Sequence, residues 1–238
     1  LLNLRGSDVE HNPVFASHLL VSADNATLFV CGRKVARDLA RELERDGVSL
    51  ADYGSTKHAL GTLPPDARVL LDPKRVTAGV RAALPTSARI VEATNPSTLA
   101  KSRKNEVEAA FIRETMIEDG AAMCRFYAAF EASLVAGEPW DECLVHHHLT
   151  AERARSRLFV SPSFATIAGY NANGALPHYR AVAGRQARID GDGMLLVDCG
   201  GQYLGGTTDV TRVWPVGRPS SEMKRDVTLV LKALIALS

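Results

Sequence analysis

Two aspartates flank a glycine-rich turn in the segment LLVDCGGQYLGGTTDVTRVW, which covers Leu195–Trp214. The residues on either side of the turn alternate as half-buried strands do. A hairpin folded about Tyr203 and Leu204 would set Asp198 directly opposite Asp209, with Cβ atoms about 4.5–5.5 Å apart. Like charges held this close are destabilising unless a positive group compensates them.

The residues around the two aspartates indicate what that positive group would be. Four apolar residues precede Asp198, so its carboxylate is expected to lie at depth, and no lysine or arginine near it is expected to face the same way. Convergent carboxylates suit Mg²⁺, Mn²⁺ or Ca²⁺, and two such ions about 3.5–4 Å apart form a hydrolytic centre by acidifying a shared water. Either aspartate alone would be better explained as a surface or ion-paired residue, and only the two together favour a metal site.

His178, in the segment NANGALPHY, is the next candidate for chemistry. A lone histidine is more often a hydrogen-bonded structural residue than a catalytic one. However, the segment GALPHYRA has the composition of a strand, and it lies shortly before Asp198 in the chain. An adjacent strand would direct His178 into the same cleft, as a proton carrier or a hydrogen-bond donor to substrate.

Different patterns in the two halves of the chain predict two domains. From Val14 to about Glu92, short apolar runs such as ATLFV, ARVLLD and ARIVEA alternate with helical patterns, which is typical of an α/β domain. After the polar, proline-containing segment near residues 93–104, Asn105 and Glu108 form a capping-box pattern at the start of a long helix. A second helix is predicted from Asp141 to about Arg157, followed by strands, which indicates an α+β arrangement.

Composition and charge exclude several classes of function. The 28 Lys and Arg against 27 Asp and Glu leave a formal charge of +1, so no overall field attracts nucleic acid or a membrane surface. Arg153, Arg155 and Arg157 are too few for a nucleic-acid patch and are expected to form a solvated helix end. The four cysteines are widely spaced, as reduced thiols of a cytoplasmic protein are, and no apolar run is long enough to span a bilayer.

The segments LFVSPSFATIAGYNANGALPHY and LLVDCGGQYLGGTTDVTR resemble blocks of the aminopeptidase P family, the Xaa-Pro aminopeptidases with a pita-bread fold. The opening LLNLRGSDVEHNPVF resembles the start of the second domain in the three-domain cytosolic form of that family. The resemblance implies an α/β, creatinase N-terminal-like domain at residues 1–93, a linker at 94–104 and the first half of an α+β pita-bread catalytic domain at 105–238. The chain is therefore expected to be part of a longer polypeptide.

The resemblance also implies roles for the three candidate residues. Asp198 corresponds to a ligand of one metal ion, Asp209 to the carboxylate that bridges two ions, and His178 to the histidine that contacts substrate and assists proton transfer. The pair of ions in this family is usually Mn²⁺. The family completes its site with a later histidine and two glutamates, which these residues do not include, so the isolated 238-residue chain is expected to be inactive. Two departures from the family pattern are Cys199, where serine is common, and Val213-Trp214, where a second threonine is usual.

The resemblance implies a metalloaminopeptidase that hydrolyses the bond between an N-terminal residue and a penultimate proline. Its expected partners are peptides with proline in second position, without nucleic acid or membrane, and the full-length protein is expected to be a cytoplasmic homodimer. Two alternatives remain at this point. One is a catalytically inactive pita-bread module that binds peptides or proteins, and the other is hydrolysis without metal, which has no need for the aspartate pair.

Overall fold

The structure, a computed structural model, describes residues 1–238 and divides them into two units. The first unit comprises Leu1–Val9 and Pro13–Lys104, and the second comprises Glu10–Asn12 and Asn105–Ser238. No helix in either unit is both long enough and apolar enough to cross a membrane.

Two small sheets and four helices form the first unit. Its strands are β1 (Ser17–Val21), β2 (Ala26–Val30), β3 (Val48–Ala51), β4 (Arg68–Leu71) and β5 (Arg89–Glu92). Its helices are α1 (Arg37–Arg45), α2 (Thr56–Gly61), α3 (Ala78–Arg81) and α4 (Pro96–Ser102). β2 pairs antiparallel with β1 and parallel with β3, and β4 pairs parallel with β5. The predicted alternation of strands and helices is therefore present, and α4 lies within the segment 94–104.

Two helices begin the second unit, and each begins at the residue that its sequence predicts. They are α5 (Glu106–Val135) and α6 (Glu142–Arg153). Asn105 and Glu108 form the reciprocal capping box, with the Glu108 amide 2.8 Å from Asn105 Oδ1. Asp141 caps α6 by accepting a hydrogen bond from the Leu144 amide. Both caps satisfy amides that have no partner within the helix.

Two antiparallel three-stranded sheets and a final helix complete the second unit. These elements are β6 (Phe159–Pro162), β7 (Ile167–Tyr170), β8 (Gly193–Cys199), β9 (Gly201–Tyr203), β10 (Gly206–Thr207), β11 (Val210–Val216) and α7 (Ser221–Leu237). One sheet has the order β10-β9-β6 and the other the order β11-β8-β7. The chain passes from β8 to β9 and from β10 to β11 with little interruption, so one long hairpin joins both sheets.

The core of the second unit lies between its two long helices and the sheet of β8. Phe126 and Phe130 of α5, Val145 and Leu149 of α6, and Leu195 of β8 are all buried. Burial of side chains of this size is the main favourable contribution to folding. The core therefore fixes the face of β8 that is turned away from solvent.

A buried ion pair lies within this core and corrects the expectation of a solvated helix end. Arg153 Nε donates to Asp119 Oδ1 at 2.6 Å, and both side chains are 1% exposed. The Tyr203 hydroxyl donates to the same oxygen at 2.8 Å, while Arg153 Nη2 lies 3.3 Å from Cys199 Sγ. Burial alone would lower the pKa of Arg153, but the hydrogen bond to Asp119 raises this pKa above its usual value. Sequence periodicity missed Arg153 because its partners lie on distant elements.

Loss of this ion pair should be costly. Arg153→Met would leave the carboxylate of Asp119 buried with a hydroxyl as its remaining partner, so we expect the free energy of unfolding to fall by about 3–5 kcal/mol. Arg155→Met is the matched control, because Arg155 is exposed in its pair with Glu152 and should contribute less than about 1 kcal/mol. Urea denaturation measures both values. Equal stability of the two variants would contradict the proposed importance of the buried pair.

Candidate metal centre

A cleft of about 280 Å³ in the second unit brings the predicted site residues together. Its lining consists of Phe164, Ala165, Ile167, His178, Arg180, Asp198 and Asp209. The two aspartates come from opposite sides of the long hairpin, and the histidine comes from the segment between β7 and β8. The three candidate residues, which are up to 31 positions apart in the sequence, thus converge on one open surface.

The alternation of β8 places Asp198 on the face of the strand opposite to the core. Leu195, Val197 and Cys199 are fully buried, whereas Leu196 and Asp198 are half-buried. The expectation that Asp198 lies at depth is therefore wrong. Its apolar neighbours fill the other side of the sheet, and its own carboxylate remains in contact with solvent.

The register of the hairpin also differs from the prediction. Asp198 pairs with Thr211, and not with Asp209, because the turn is centred on Leu204-Gly205, one residue later than expected. Tyr203 stays in β9 since its hydroxyl is held by the buried pair. Thr211 Oγ1 donates to Asp198 Oδ1 at 2.7 Å, which fixes the orientation of this carboxylate.

Asp209 lies diagonally across from Asp198. It precedes β11 by one residue and is exposed. Diagonal neighbours in an antiparallel pair have Cα atoms about 7–8 Å apart, so the repulsion between the two carboxylates is weaker than in a directly opposed pair. The separation also leaves room for ions between them.

The side chain of Arg180 is a cation that the sequence analysis did not place in the cleft. It lines the cleft beside the two aspartates, which corrects the expectation that no arginine faces the same way. The ion pairs of the structure do not include either aspartate. Both carboxylates therefore remain available to an ion of another kind.

His178 lies in a loop and not in the predicted strand. The first two residues of the segment GALPHYRA end a 3₁₀ turn, Asn171–Ala175, and the rest of the segment has irregular backbone. His178 has a φ of 56°, in the left-handed region that side chains other than glycine seldom adopt. The side chain is exposed and lines the cleft. The loop, and not a strand, therefore directs His178 towards the aspartates.

The donors in the cleft fit part of a divalent-metal site. The carboxylates offer the oxygen ligands that hard divalent cations prefer, and the bond from Thr211 supports one of them. No group of three His, Cys, Asp or Glu side chains in residues 1–238 converges closely enough to hold an ion.

Comparison with known protein families finds a match for each half of the chain. Residues 1–108 match the creatinase/prolidase N-terminal domain, and residues 80–238 match metallopeptidase family M24. The chain belongs to metallopeptidase family M24. This result confirms the predicted fold class, an α/β creatinase N-terminal domain followed by part of an α+β pita-bread domain.

Curated relatives of this M24 chain are longer than the chain itself. It is 36% identical over 245 aligned residues to a probable Xaa-Pro aminopeptidase P of Sclerotinia sclerotiorum, and the match covers 100% of the chain and 41% of the relative. A protein of the same name from Laccaria bicolor is 37% identical, with 100% of the chain and 37% of the relative covered. The chain thus spans about two fifths of the length of these relatives.

Solved structures share the fold of this chain. The X-prolyl aminopeptidase of Caenorhabditis elegans, described as a cytosolic enzyme with a di-nuclear active site, superposes with a TM-score of 0.83 at 26% identity. The superposition covers 93% of this chain and 37% of that one. The X-Pro aminopeptidase of Thermotoga maritima, at 18% identity and a TM-score of 0.66 over 93% of this chain and 61% of that one, shares the fold.

The structure shows where Cys199 and Trp214, two residues that depart from the family pattern, make their contacts. Cys199 faces away from the cleft, where its thiol contacts Arg153 and Met123, and burial raises the pKa of Cys199. Replacement of a serine by cysteine therefore does not alter the face that carries Asp198. Trp214 stacks on Tyr127 of α5 with ring centroids 4.0 Å apart, so the bulky residue contributes to packing of β11 on the helix.

Close packing behind the cleft generates a stability prediction. A Cβ at Gly200 would overlap the carbonyl oxygen of Thr208 and the hydroxyl of Ser163, so Gly200→Ala should displace the segment that leads to Asp209. We expect a loss of about 1–3 kcal/mol in the free energy of unfolding. Gly120→Ala is the control, because Gly120 lies in α5 with no atom near a new Cβ and should gain about 0.5–1 kcal/mol. Changes of the same sign in urea denaturation would contradict this packing.

Proposed function

We propose that the intact protein is a metal-dependent aminopeptidase that removes the N-terminal residue from peptides with proline in second position. The observation that carries the proposal is the cleft in which Asp198, Asp209 and His178 meet within an M24 chain. The names of its relatives, Xaa-Pro aminopeptidase P and X-prolyl aminopeptidase, support the same substrate class.

The proposed cofactor is a pair of divalent ions, and we propose Mn²⁺. Asp198 would hold one ion and Asp209 would bridge both. The di-nuclear active site of the Caenorhabditis elegans structure supports the number of ions, and the carboxylate donors support a hard cation. When bound, the ions would polarise the scissile carbonyl and lower the pKa of the attacking water.

The protein's own residues would orient the metal-binding carboxylate and transfer a proton during cleavage of the substrate. Thr211 holds the Asp198 carboxylate in one orientation through its hydroxyl. The imidazole of His178 lies in the same cleft and would contact the substrate and carry a proton during cleavage. The bond before proline is a tertiary amide without an N–H, so a dedicated cleft is needed where ordinary extended binding fails.

We further propose that the enzyme acts in the cytoplasm as a homodimer. All four cysteines are free, which suits a reducing compartment, and one similar structure is described as cytosolic. The homodimer follows from the family resemblance.

A direct assay tests the proposed activity. The intact protein should release arginine from Arg-Pro-Pro, with stimulation by Mn²⁺ and loss of activity in a chelator, because the ions supply the electrostatic stabilisation. Arg-Ala-Pro is the control peptide and should be cleaved poorly. Cleavage that survives chelation would refute the metal mechanism, and tight binding of Arg-Pro-Pro without cleavage would favour an inactive binding module.

Metal analysis tests the proposed roles of the residues separately. Asp209→Asn should lower occupancy at both positions because a bridging charge is lost, whereas Asp198→Asn should mainly empty one. His178→Ala should retain its metal but lose about 10²–10⁴-fold in turnover, as expected for a proton-transfer residue. Asp190→Asn, an exposed aspartate paired with Arg188, is the control and should retain its metal. Full occupancy in Asp209→Asn would exclude the bridging role.

A further inference from the structure

The carboxylate of Glu142 is one of the most buried polar groups in the second unit. Glu142 is the first residue of α6 and is 1% exposed. Its Oε1 accepts from the Tyr170 amide at 2.8 Å and from Asn173 Nδ2 at 2.9 Å. Its Oε2 accepts from the Tyr179 hydroxyl at 2.7 Å and from the Ala187 amide at 2.8 Å. One side chain therefore receives four hydrogen bonds.

These hydrogen bonds compensate the charge of Glu142 without a basic partner. A buried carboxylate is costly unless polar groups replace its lost hydration. Four donors do so here, and the N-terminus of α6 adds a favourable dipole. Glu142 is therefore a fixed hydrogen-bond acceptor at the start of α6, and all four donor groups are held against its two oxygens.

The four donors lie at both ends and in the middle of one loop, the residues between β7 and Ala187. Tyr170 ends β7, and Ala187 lies 17 residues later. Apart from the short 3₁₀ turn Asn171–Ala175, the loop has no regular structure. Few backbone hydrogen bonds shape the loop, and Glu142 holds it at four positions, namely its two ends, Asn173 and Tyr179.

One of these four contacts, from Tyr179, lies next to His178 in the chain. Tyr179 donates its hydroxyl to Glu142, and His178 before it has the left-handed backbone conformation. A non-glycine residue keeps this conformation when its surroundings hold it there. Burial, followed by the hydrogen bond to Glu142, raises the pKa of Tyr179 to about 12, so the hydroxyl remains a donor at neutral pH.

We propose that Glu142 is a positioning residue that holds His178 in the cleft facing Asp198 and Asp209, acting through the hydroxyl of Tyr179. The effect on turnover rests on the proposed function, in which His178 carries a proton. The restraint on the loop is a property of the fold and can be measured without activity.

The first test compares two tyrosine variants of the intact protein. Tyr179→Phe removes the contact beside His178, and we expect kcat for Arg-Pro-Pro to fall about 10-fold with unchanged metal content, because small misplacements of catalytic groups are costly. Tyr170→Phe is the matched control: it removes a hydroxyl that donates to the Asp190 carbonyl and leaves all four contacts of Glu142 in place. Equal losses in the two variants would overturn the proposal.

The second test asks whether the effect passes through His178. Because Tyr179→Phe acts by displacing His178, it should cause no further loss of kcat in the His178→Ala background. Glu142→Gln, which replaces one acceptor oxygen by an amide nitrogen, should show the same lack of additivity. A role in overall folding would instead lower kcat by the same factor in both backgrounds, and that result would exclude the positioning role.

Hydrogen exchange provides a readout that does not depend on turnover. In Tyr179→Phe the backbone amides of residues 173–187 should exchange faster, while those of β8 should not change. Unchanged exchange in the loop would overturn the proposal whatever the activity. If the intact protein cleaves no Xaa-Pro peptide but the amides of the loop exchange faster in Tyr179→Phe, the proposed function fails and the restraint by Glu142 stands.

Discussion

The buried pair of Asp119 and Arg153 determines where the hairpin lies on the helices. Asp119 belongs to α5 and Arg153 to α6, and the hairpin reaches them through Tyr203 and Cys199. A buried charge that loses its partner is strongly destabilising, so neither helix can shift far relative to the other or to the hairpin. Because Cys199 is next to Asp198, the same contacts set the position of the first candidate ligand.

The alternating burial along β8 determines which face of the strand carries Asp198. The odd-numbered residues from Leu195 to Cys199 are buried, and the even-numbered residues face the cleft. A slip of one residue would carry Asp198 into the core and remove Cys199 from the buried arginine. Both changes are costly, so hydrophobic packing and the buried ion pair favour the same register.

The sequence predicts the parts of this fold that depend on neighbouring residues. The caps at Asn105 and Asp141, the two helices and the existence of the hairpin follow from patterns a few residues long. The register of the hairpin does not, because Tyr203 is held by Asp119, 84 positions earlier. Periodicity cannot show contacts of this range.

Contacts of similar range explain why the sequence predicts a strand where the structure has the loop of His178. Its composition is typical of a strand, but Glu142 satisfies both Tyr170 and Ala187 and so replaces a strand ladder by side-chain contacts. In the sequence, Glu142 resembles any acidic residue in the first turn of a helix. Its role depends on four donors that lie 28 to 45 positions later in the chain.

Hydrogen bonding distinguishes the structural carboxylates of this unit from those available for chemistry. Asp119 and Glu142 are 1% exposed, and their oxygens accept from arginine, tyrosine, asparagine or amide donors. A carboxylate saturated in this way has little capacity left for a cation. Asp198 accepts one hydrogen bond, from Thr211, and Asp209 is exposed. Metal chemistry is therefore expected at the carboxylates that the fold leaves incompletely satisfied and open to solvent, and not at the most deeply buried ones.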